Sequence, residues 1–286
     1  MTRPYAEVIG DPIAQSKSPL IHNFWLGKLG IDAEYRACHV RAEELADYFA
    51  QRRGDAAWQG CNVTMPHKQA IIPLLDALDP LTERVGAVNT VVRGADGTLG
   101  GYNTDVAGFL EPLQPLPERD RDGCRGLAIV IGAGGAARAV VSALYDEGYQ
   151  IDIINRDAAK ARSLALEFGA PVTCFSKLEL PSAPRLFTID PVGANECLLI
   201  NTTSLGMVGH PPLAITLENV SDGVLVYDIV TQPLETPLLV EARARGMRTI
   251  DGLAMLIGQA AVAFEKFFEA PAPRQHEAEL RELLTQ

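Results

Sequence analysis

The run Asn62-Val63-Thr64-Met65-Pro66-His67-Lys68 sets two hydrogen-bonding side chains, a proline and a lysine where a β-rich segment hands over to the apolar stretch IIPLLDAL. Farther on, Asn103-Thr104-Asp105 brings a carboxylate to the entry of a helical pattern, DVAGFL. An ammonium and a carboxylate are the parts of an acid/base pair: one stabilises negative charge on a carbonyl oxygen or gives it a proton, the other holds or relays. Each also has a plainer reading. Lys68 suits a solvated lysine on a helix that starts at Pro66, and Asp105 suits the N-cap of the helix it precedes. Ser16-Lys17-Ser18-Pro19 is equally two-sided. It is either a good helix start, with Ser18 as N-cap and Pro19 at the first helical position, or a helix N-terminus whose hydroxyls and amides receive a carboxylate.

A second chemistry is written in Gly132-Ala133-Gly134-Gly135-Ala136-Ala137, which follows the apolar run LAIVI and opens a helix. In G-x-G-x-x-A the first glycine permits the tight turn and the second lets a pyrophosphate approach the backbone. The small last residue allows close packing of helix on strand. The next strand, IDIIN, ends at Asn155-Arg156-Asp157, where an NAD-binding protein would place an acidic residue on the ribose hydroxyls. A guanidinium there can clamp a 2'-phosphate and stack on adenine, which favours NADP over NAD. Asp157 opposes this unless it points outward or caps the following helix. Lys160 and Arg162 either add positive charge or belong to a solvated turn. The five histidines, His22, His39, His67, His210 and His276, show no ligand spacing, so no metal is expected.

These residues need two α/β lobes to carry them. The chain has 286 residues, 47% hydrophobic and 21% charged, the balance of a folded globular protein. A net charge of -11 and a pI near 5.0 argue against nucleic acid or an anionic membrane as partner, so an anionic ligand must be held locally. Five scattered cysteines, Cys38, Cys61, Cys124, Cys174 and Cys197, form no C-x-x-C pair and suggest a reducing, cytoplasmic setting. The N-terminus lacks the core of a signal peptide, and no apolar run reaches the length of a membrane span.

YAEVIG, SPLIHNFWLGKLG, EYRACHV, RAEELADYFAQRR and the segment ending at Cys61 alternate strand and helix and predict a largely parallel sheet, with a helix after Pro66. The Pro- and charge-rich EPLQPLPERDRDGCRG then breaks the pattern. Beyond it lie a βαβ unit, strands at CLLINTT and GVLVYDIV with helices between them, and a long apolar helix, DGLAMLIGQAAVAFEKFFEA. The expected division is a substrate domain over residues 1–104, with C-terminal helices 255–286 packing back on it, and a Rossmann-type domain over 105–254.

SKSP, NVTMPHK, GAVNT, GYNTD, GAGGAARA, NTTSLGM, ETPLL and DGLAMLIGQA occur together in the order and spacing of the shikimate dehydrogenase family, which the chain resembles over nearly its whole length. The resemblance implies NADP-dependent reduction of 3-dehydroshikimate to shikimate by a monomer or homodimer. Lys68 and Asp105 would then be the catalytic pair, and Ser16 and Ser18 would bind the substrate carboxylate. Asn62, Thr64, Asn89 and Gln259 would bond the ring hydroxyls or fix the residues that do. Gly132, Ala133, Gly134, Gly135 and Ala136 would take the pyrophosphate, and Asn155, Arg156, Asp157 and Lys160 the adenosine side. Thr202, Ser204, Ile229, Gly252 and Met255 complete the cofactor set. Thr231 stands where most of the family has a tyrosine on the substrate carboxylate. That leaves open a quinate/shikimate dehydrogenase using NAD or both cofactors, and a non-catalytic sensor on the same fold is the reading from another class.

Overall fold

The computed structural model describes residues 3–169, 172–176 and 196–286. In chain order the elements are β1 (Tyr5–Gly10), α1 (Ser18–Leu29), β2 (Glu34–His39), α2 (Leu45–Arg53), β3 (Trp58–Val63), β4 (Ala77–Leu78), α3 (Pro80–Val85), β5 (Thr90–Arg93), β6 (Leu99–Tyr102) and α4 (Asp105–Leu110). There follow β7 (Leu127–Ile131), α5 (Gly135–Glu147), β8 (Gln150–Asn155), α6 (Ala158–Phe168), β9 (Val172–Ser176), β10 (Cys197–Asn201), β11 (Leu225–Asp228), α7 (Pro237–Ala244), β12 (Thr249–Ile250), α8 (Gly252–Phe268) and α9 (Glu277–Thr285). Two compact units result, Met1–Gly108 with Ile257–Gln286, and Phe109–Leu256.

The first unit holds a sheet in the order β2-β1-β3-β5-β6-β4. Strands β2, β1 and β3 are parallel, as the alternation with helices requires, but β5 runs antiparallel to both β3 and β6. The sheet is therefore largely parallel, as expected, with β5 alone running against the other five strands. The reason is the short Gly94–Thr98 turn, closed by Gly94 N–H on the Thr98 carbonyl at 2.8 Å, which can only join antiparallel neighbours. Strand β1 is buried throughout. Its alternate side chains enter two cores: Tyr5 and Ile9 pack with Val40, Phe49 and Trp58, and Ala6 and Val8 pack with Tyr35, Ala263 and Phe267. Glu7, on the Tyr5 side, is buried but paired, accepting from Tyr48 Oη at 2.8 Å and from Arg52 at 2.8 and 3.1 Å.

Three local expectations change. No α-helix follows Pro66; residues 65–71 are turns leading to a single 3-10 turn, Ile72–Leu74. Pro73 has no N–H to give and restricts Ile72, so an apolar run of helical appearance cannot propagate through it. Helix α1 begins one residue early, with Lys17 as N-cap and Ser18 already helical. Asp105 is likewise the first residue of α4 rather than its cap; Val106 N–H donates to Asn103 Oδ1 at 3.4 Å.

The second unit is a six-stranded sheet ordered β12-β11-β10-β7-β8-β9, with every pairing parallel. Read from the β9 edge, this is the 3-2-1-4-5-6 order of a doubly wound dinucleotide fold, with the chain reversing direction of travel beside β7. The buried strands are β-branched and leucine-rich, as two covered faces demand. The helix expected between β10 and β11 does not form: residues 202–224 are turns and extended chain, broken by Gly206, Gly209, Pro211 and Pro212. Cys38, Cys61, Cys124 and Cys197 are free, and the side chain of Cys174 lies outside the described residues. Among the described residues no helix is long and apolar enough to cross a membrane.

In the first unit His22 is fully buried, stacked on Tyr35 at 4.0 Å and surrounded by Trp25, Phe264 and Phe267, with neither ring nitrogen hydrogen-bonded to protein. Loss of hydration holds its pKa down to about 3. The unfolded chain protonates this ring below about pH 6.5 and the native chain refuses the proton. His22 thus costs no stability above that pH and removes about 1.4 kcal/mol per pH unit as pH falls below it. His22→Phe is expected to flatten the fall of the urea midpoint between about pH 7 and about pH 5; an unchanged slope would assign the acid sensitivity elsewhere.

Candidate active site

Strand ends in the first unit converge on one polar cluster. Lys68, in the turn after β3, donates Nζ–H to Asp105 Oδ2 at 2.5 Å, with side-chain exposures of 15% and 7%. The Lys68 carbonyl accepts Val88 N–H at 2.7 Å, which ties the lysine's backbone to the segment entering β5. Asp105 Oδ1 accepts Asn89 Nδ2 at 2.9 Å, so each carboxylate oxygen has a donor. Asn89 is fixed in turn. Its Oδ1 accepts Thr104 N–H at 2.7 Å and Thr90 Oγ1 at 3.0 Å, and its Nδ2 also reaches Thr104 Oγ1 at 2.9 Å and Gln259 Oε1 at 3.4 Å. Gln259 comes from α8 and also accepts Thr104 Oγ1 at 3.4 Å.

Asn62 closes the cluster from behind. Its Oδ1 accepts Tyr35 Oη at 2.6 Å, and its Nδ2 donates to the Asn89 carbonyl at 3.2 Å and Thr90 Oγ1 at 3.0 Å. Through these bonds Asn62 fixes Asn89 and Thr90, and its Oδ1, with one donor here, keeps a second lone pair. Thr64 is half-buried at the end of the same strand path, and its backbone N–H bonds the Ile9 carbonyl at 3.0 Å. His67 points the other way, buried, with Nε2 donating to the Val40 carbonyl at 2.7 Å. Ser16 and Ser18 stand at the start of α1, where Ser16 Oγ accepts Ser18 N–H at 3.3 Å. Sequence reasoning left out Tyr35, which has no motif around it, whereas Thr90 and Thr104 lie inside the quoted GAVNT and GYNTD.

In the second unit the glycine turn sits at the end of β7, between its two neighbours β8 and β10. Gly132 has φ +118, and a Cβ there would lie 2.4 Å from Thr202 Oγ1. Thr202 closes the turn by donating Oγ1–H and N–H to the Ile131 carbonyl at 2.6 and 2.9 Å. Gly134, the N-cap of α5, makes no side-chain cap, and a Cβ there would meet nothing within 4 Å. A 13-residue helix thus presents its first amides and its positive end to open space between small residues, Ala133, Gly135 and Ala136, which fits a pyrophosphate.

Asp157 caps α6, its carboxylate accepting Ala159 and Lys160 N–H at 3.0 and 3.3 Å. Asn155 Nδ2 bonds the Asp157 carbonyl at 2.9 Å, and Arg156, Lys160 and Arg162 are exposed. Beyond β10 and β11, buried Asp228 accepts Asn201 Nδ2 at 2.9 Å, Thr236 Oγ1 at 2.7 Å and Val230 N–H at 3.1 Å. Burial raises the Asp228 pKa against these donors. The lock fixes the segments carrying Thr202, Ser204, Ile229 and Thr231. Ser204 Oγ meets His210 Nδ1 at 3.2 Å, and Thr231 is half-buried. Gly252 is close-packed, since a Cβ would lie 2.3 Å from the Val230 carbonyl, and Met255 is buried one turn later. Among the described residues no group of three or more His, Cys, Asp or Glu could hold a metal ion.

A doubly wound parallel sheet with this turn after its first strand defines a dinucleotide-binding α/β protein. Residues 8–91 match the family model of the shikimate dehydrogenase substrate binding domain, and residues 124–185 that of shikimate / quinate 5-dehydrogenase. The chain is 51% identical to shikimate dehydrogenase (NADP(+)) of Sphingopyxis alaskensis, over 98% of this chain and 97% of that protein. It superposes with a TM-score of 0.82 on shikimate 5-dehydrogenase of Thermus thermophilus, solved with NADP(H) and shikimate, at 33% identity over 98% of this chain and 99% of that one. It is also similar to a quinate dehydrogenase of Corynebacterium glutamicum, solved with NAD, at 29% identity and TM-score 0.80 over 98% and 99%. The chain belongs to the shikimate dehydrogenase family.

Asn89→Ala is expected to leave the buried Thr104 N–H and Asp105 Oδ1 without partners and lower unfolding stability by roughly 2–4 kcal/mol. A loss under about 0.5 kcal/mol in urea titration would mean the network relaxes around the gap.

Proposed function

We propose that the chain catalyses the reversible NADP-dependent reduction of 3-dehydroshikimate to shikimate. The observation that carries this reading is the half-buried Lys68–Asp105 pair, oriented by Asn89, in a chain 51% identical to an NADP-dependent shikimate dehydrogenase. In our reading the unit Met1–Gly108 with Ile257–Gln286 is the substrate-binding half and Phe109–Leu256 the nucleotide-binding half, within a few residues of the division expected from sequence.

NADPH, when bound, supplies the hydride; the chain's own groups handle charge and proton. Lys68 Nζ has three N–H bonds and gives one to Asp105, so it retains donors for the carbonyl oxygen that becomes the new hydroxyl. Lys68 stabilises the negative charge that develops there and passes on the proton, while Asp105 holds the ammonium in line and is itself held by Asn89. In the oxidative direction the same pair removes the proton from the hydroxyl. Asn62, Thr64, Asn89 and Gln259 bond the ring hydroxyls or fix the residues that do, Asn62 through its bonds to Asn89 and Thr90. Ser16 and Ser18 receive the carboxylate.

Gly132 to Ala136 would hold the pyrophosphate against the start of α5, with Ile229 and Gly252 near the nicotinamide and Thr202, Ser204 and Met255 completing the cofactor contacts. Arg156, exposed after β8, is the group for a 2'-phosphate, with Asn155 and Lys160 beside it. Asp157 does not count against NADP in this arrangement, because its carboxylate is engaged by two α6 amides.

Thr231 supports one second reading. A short hydroxyl in place of a phenol leaves the carboxylate end less filled, which favours turnover of quinate as well as shikimate. Initial rates with shikimate and with quinate, each with NADP and with NAD, separate the two. Shikimate with NADP is expected to exceed every other combination by at least about tenfold in kcat/KM; a quinate rate equal to the shikimate rate, or NAD equal to NADP, would overturn the assignment. Ligand binding without turnover would mark a sensor.

A further inference from the structure

Lys17 stands between the two serines assigned to the substrate carboxylate, yet its ammonium is committed elsewhere. Nζ donates to the Leu284 carbonyl at 2.6 Å, 267 residues along the chain. Leu284 lies in the last turn of α9, where carbonyls lack intrahelical partners and the helix dipole favours a cation. The lysine is part-buried, and desolvation lowers its pKa, so the ammonium is held in place at some cost in hydration. The same residue is the N-cap of α1, its carbonyl accepting Ile21 N–H at 3.2 Å.

Helix α9 is itself anchored. Leu280 and Leu284 are buried, and Glu279 pairs with Lys28 in the last turn of α1 at 2.7 Å. Helix α1 is therefore gripped by α9 at both ends, and the grip at its N-terminal end falls on the residue that sets the spacing of Ser16 and Ser18.

We propose that Lys17 is a positioning residue for the substrate carboxylate: the Lys17–Leu284 bond fixes the backbone between Ser16 and Ser18, so that the C-terminal helix holds the two hydroxyls at the separation the anion needs. This rests on the serine reading given above. Interactions made equally in ground and transition state alter KM and leave kcat alone, and the carboxylate is remote from the reacting carbonyl.

The test compares Lys17→Met, Lys17→Arg, the double variant Ser16→Ala/Ser18→Ala, and the triple variant with Lys17→Met, in steady-state oxidation of shikimate. Lys17→Met is expected to raise KM for shikimate about tenfold, with kcat and KM for NADP within about twofold of the parent. Lys17→Arg keeps a donor on a long stem and is expected to recover most of the loss. In the serine-less background, Lys17→Met should add less than about twofold, because the groups it positions are gone. Unchanged KM in Lys17→Met, while the serine variant is impaired, would overturn the inference alone. Full multiplication of the two penalties would also overturn it, by showing that Lys17 meets the substrate independently of the serines. An unimpaired serine variant would instead remove the serine reading on which the inference stands.

Discussion

The contact on which the first unit turns is the bond from Lys68 Nζ to Asp105 Oδ2 at 2.5 Å. A charge pair so little exposed must have its remaining lone pairs and protons satisfied, or desolvation outweighs the attraction. That requirement propagates. Asp105 needs Asn89 on its second oxygen, Asn89 needs Thr104, Thr90 and Gln259 to stay in one orientation, and Asn62 with Tyr35 keeps Asn89 and Thr90 in place. The ends of β3, β5 and β6 and the first turn of α4 have to meet for this network to close, which gives the mixed sheet a chemical purpose. Strand β5, inserted antiparallel between β3 and β6, sets Asn89, the residue before it, against Asp105 and Asn62.

The second unit answers a different constraint, that of leaving the first amides of a helix uncovered while keeping the turn before it fixed. The turn after β7 achieves this with residues too small to fill the space in front of α5 and with Thr202 fastening it from β10. The Asn201–Asp228–Thr236 lock does the same for the next two strand ends. In both units rigid strand termini carry the groups expected to meet ligands, and buried side-chain hydrogen bonds hold the termini still.

The βαβ core of the second unit was readable from LAIVIGAGGAARA and IDIINRD because glycine turn, strand length and helix period agree there, and local agreement is what sequence rules detect. Most of the first unit's alternation was readable for the same reason. IIPLLDAL misled because its apolar spacing is helical while Pro73 forbids the continuation. The turn segment between β10 and β11 was missed because nothing in its composition says that two parallel strands will be joined without a helix. Asp105 was placed one position out: Asn103, Thr104 and Asp105 can all begin a helix, and only the tertiary pull of Lys68 and Asn89 decides which of them turns inward. Tyr35 could not be found at all, since its role is defined by a partner 27 residues away.

The central claim is that Lys68 and Asp105 act as one unit, the carboxylate working through the ammonium. A kinetic double-mutant cycle with Lys68→Ala, Asp105→Ala and the double variant tests it most directly, read as kcat for shikimate oxidation. Each single variant is expected to lose roughly 10²–10⁴ in kcat, and the double variant no more than about tenfold beyond the worse single, as for residues that share one function. Losses that multiply in full would show two independent contributions and contradict the claim.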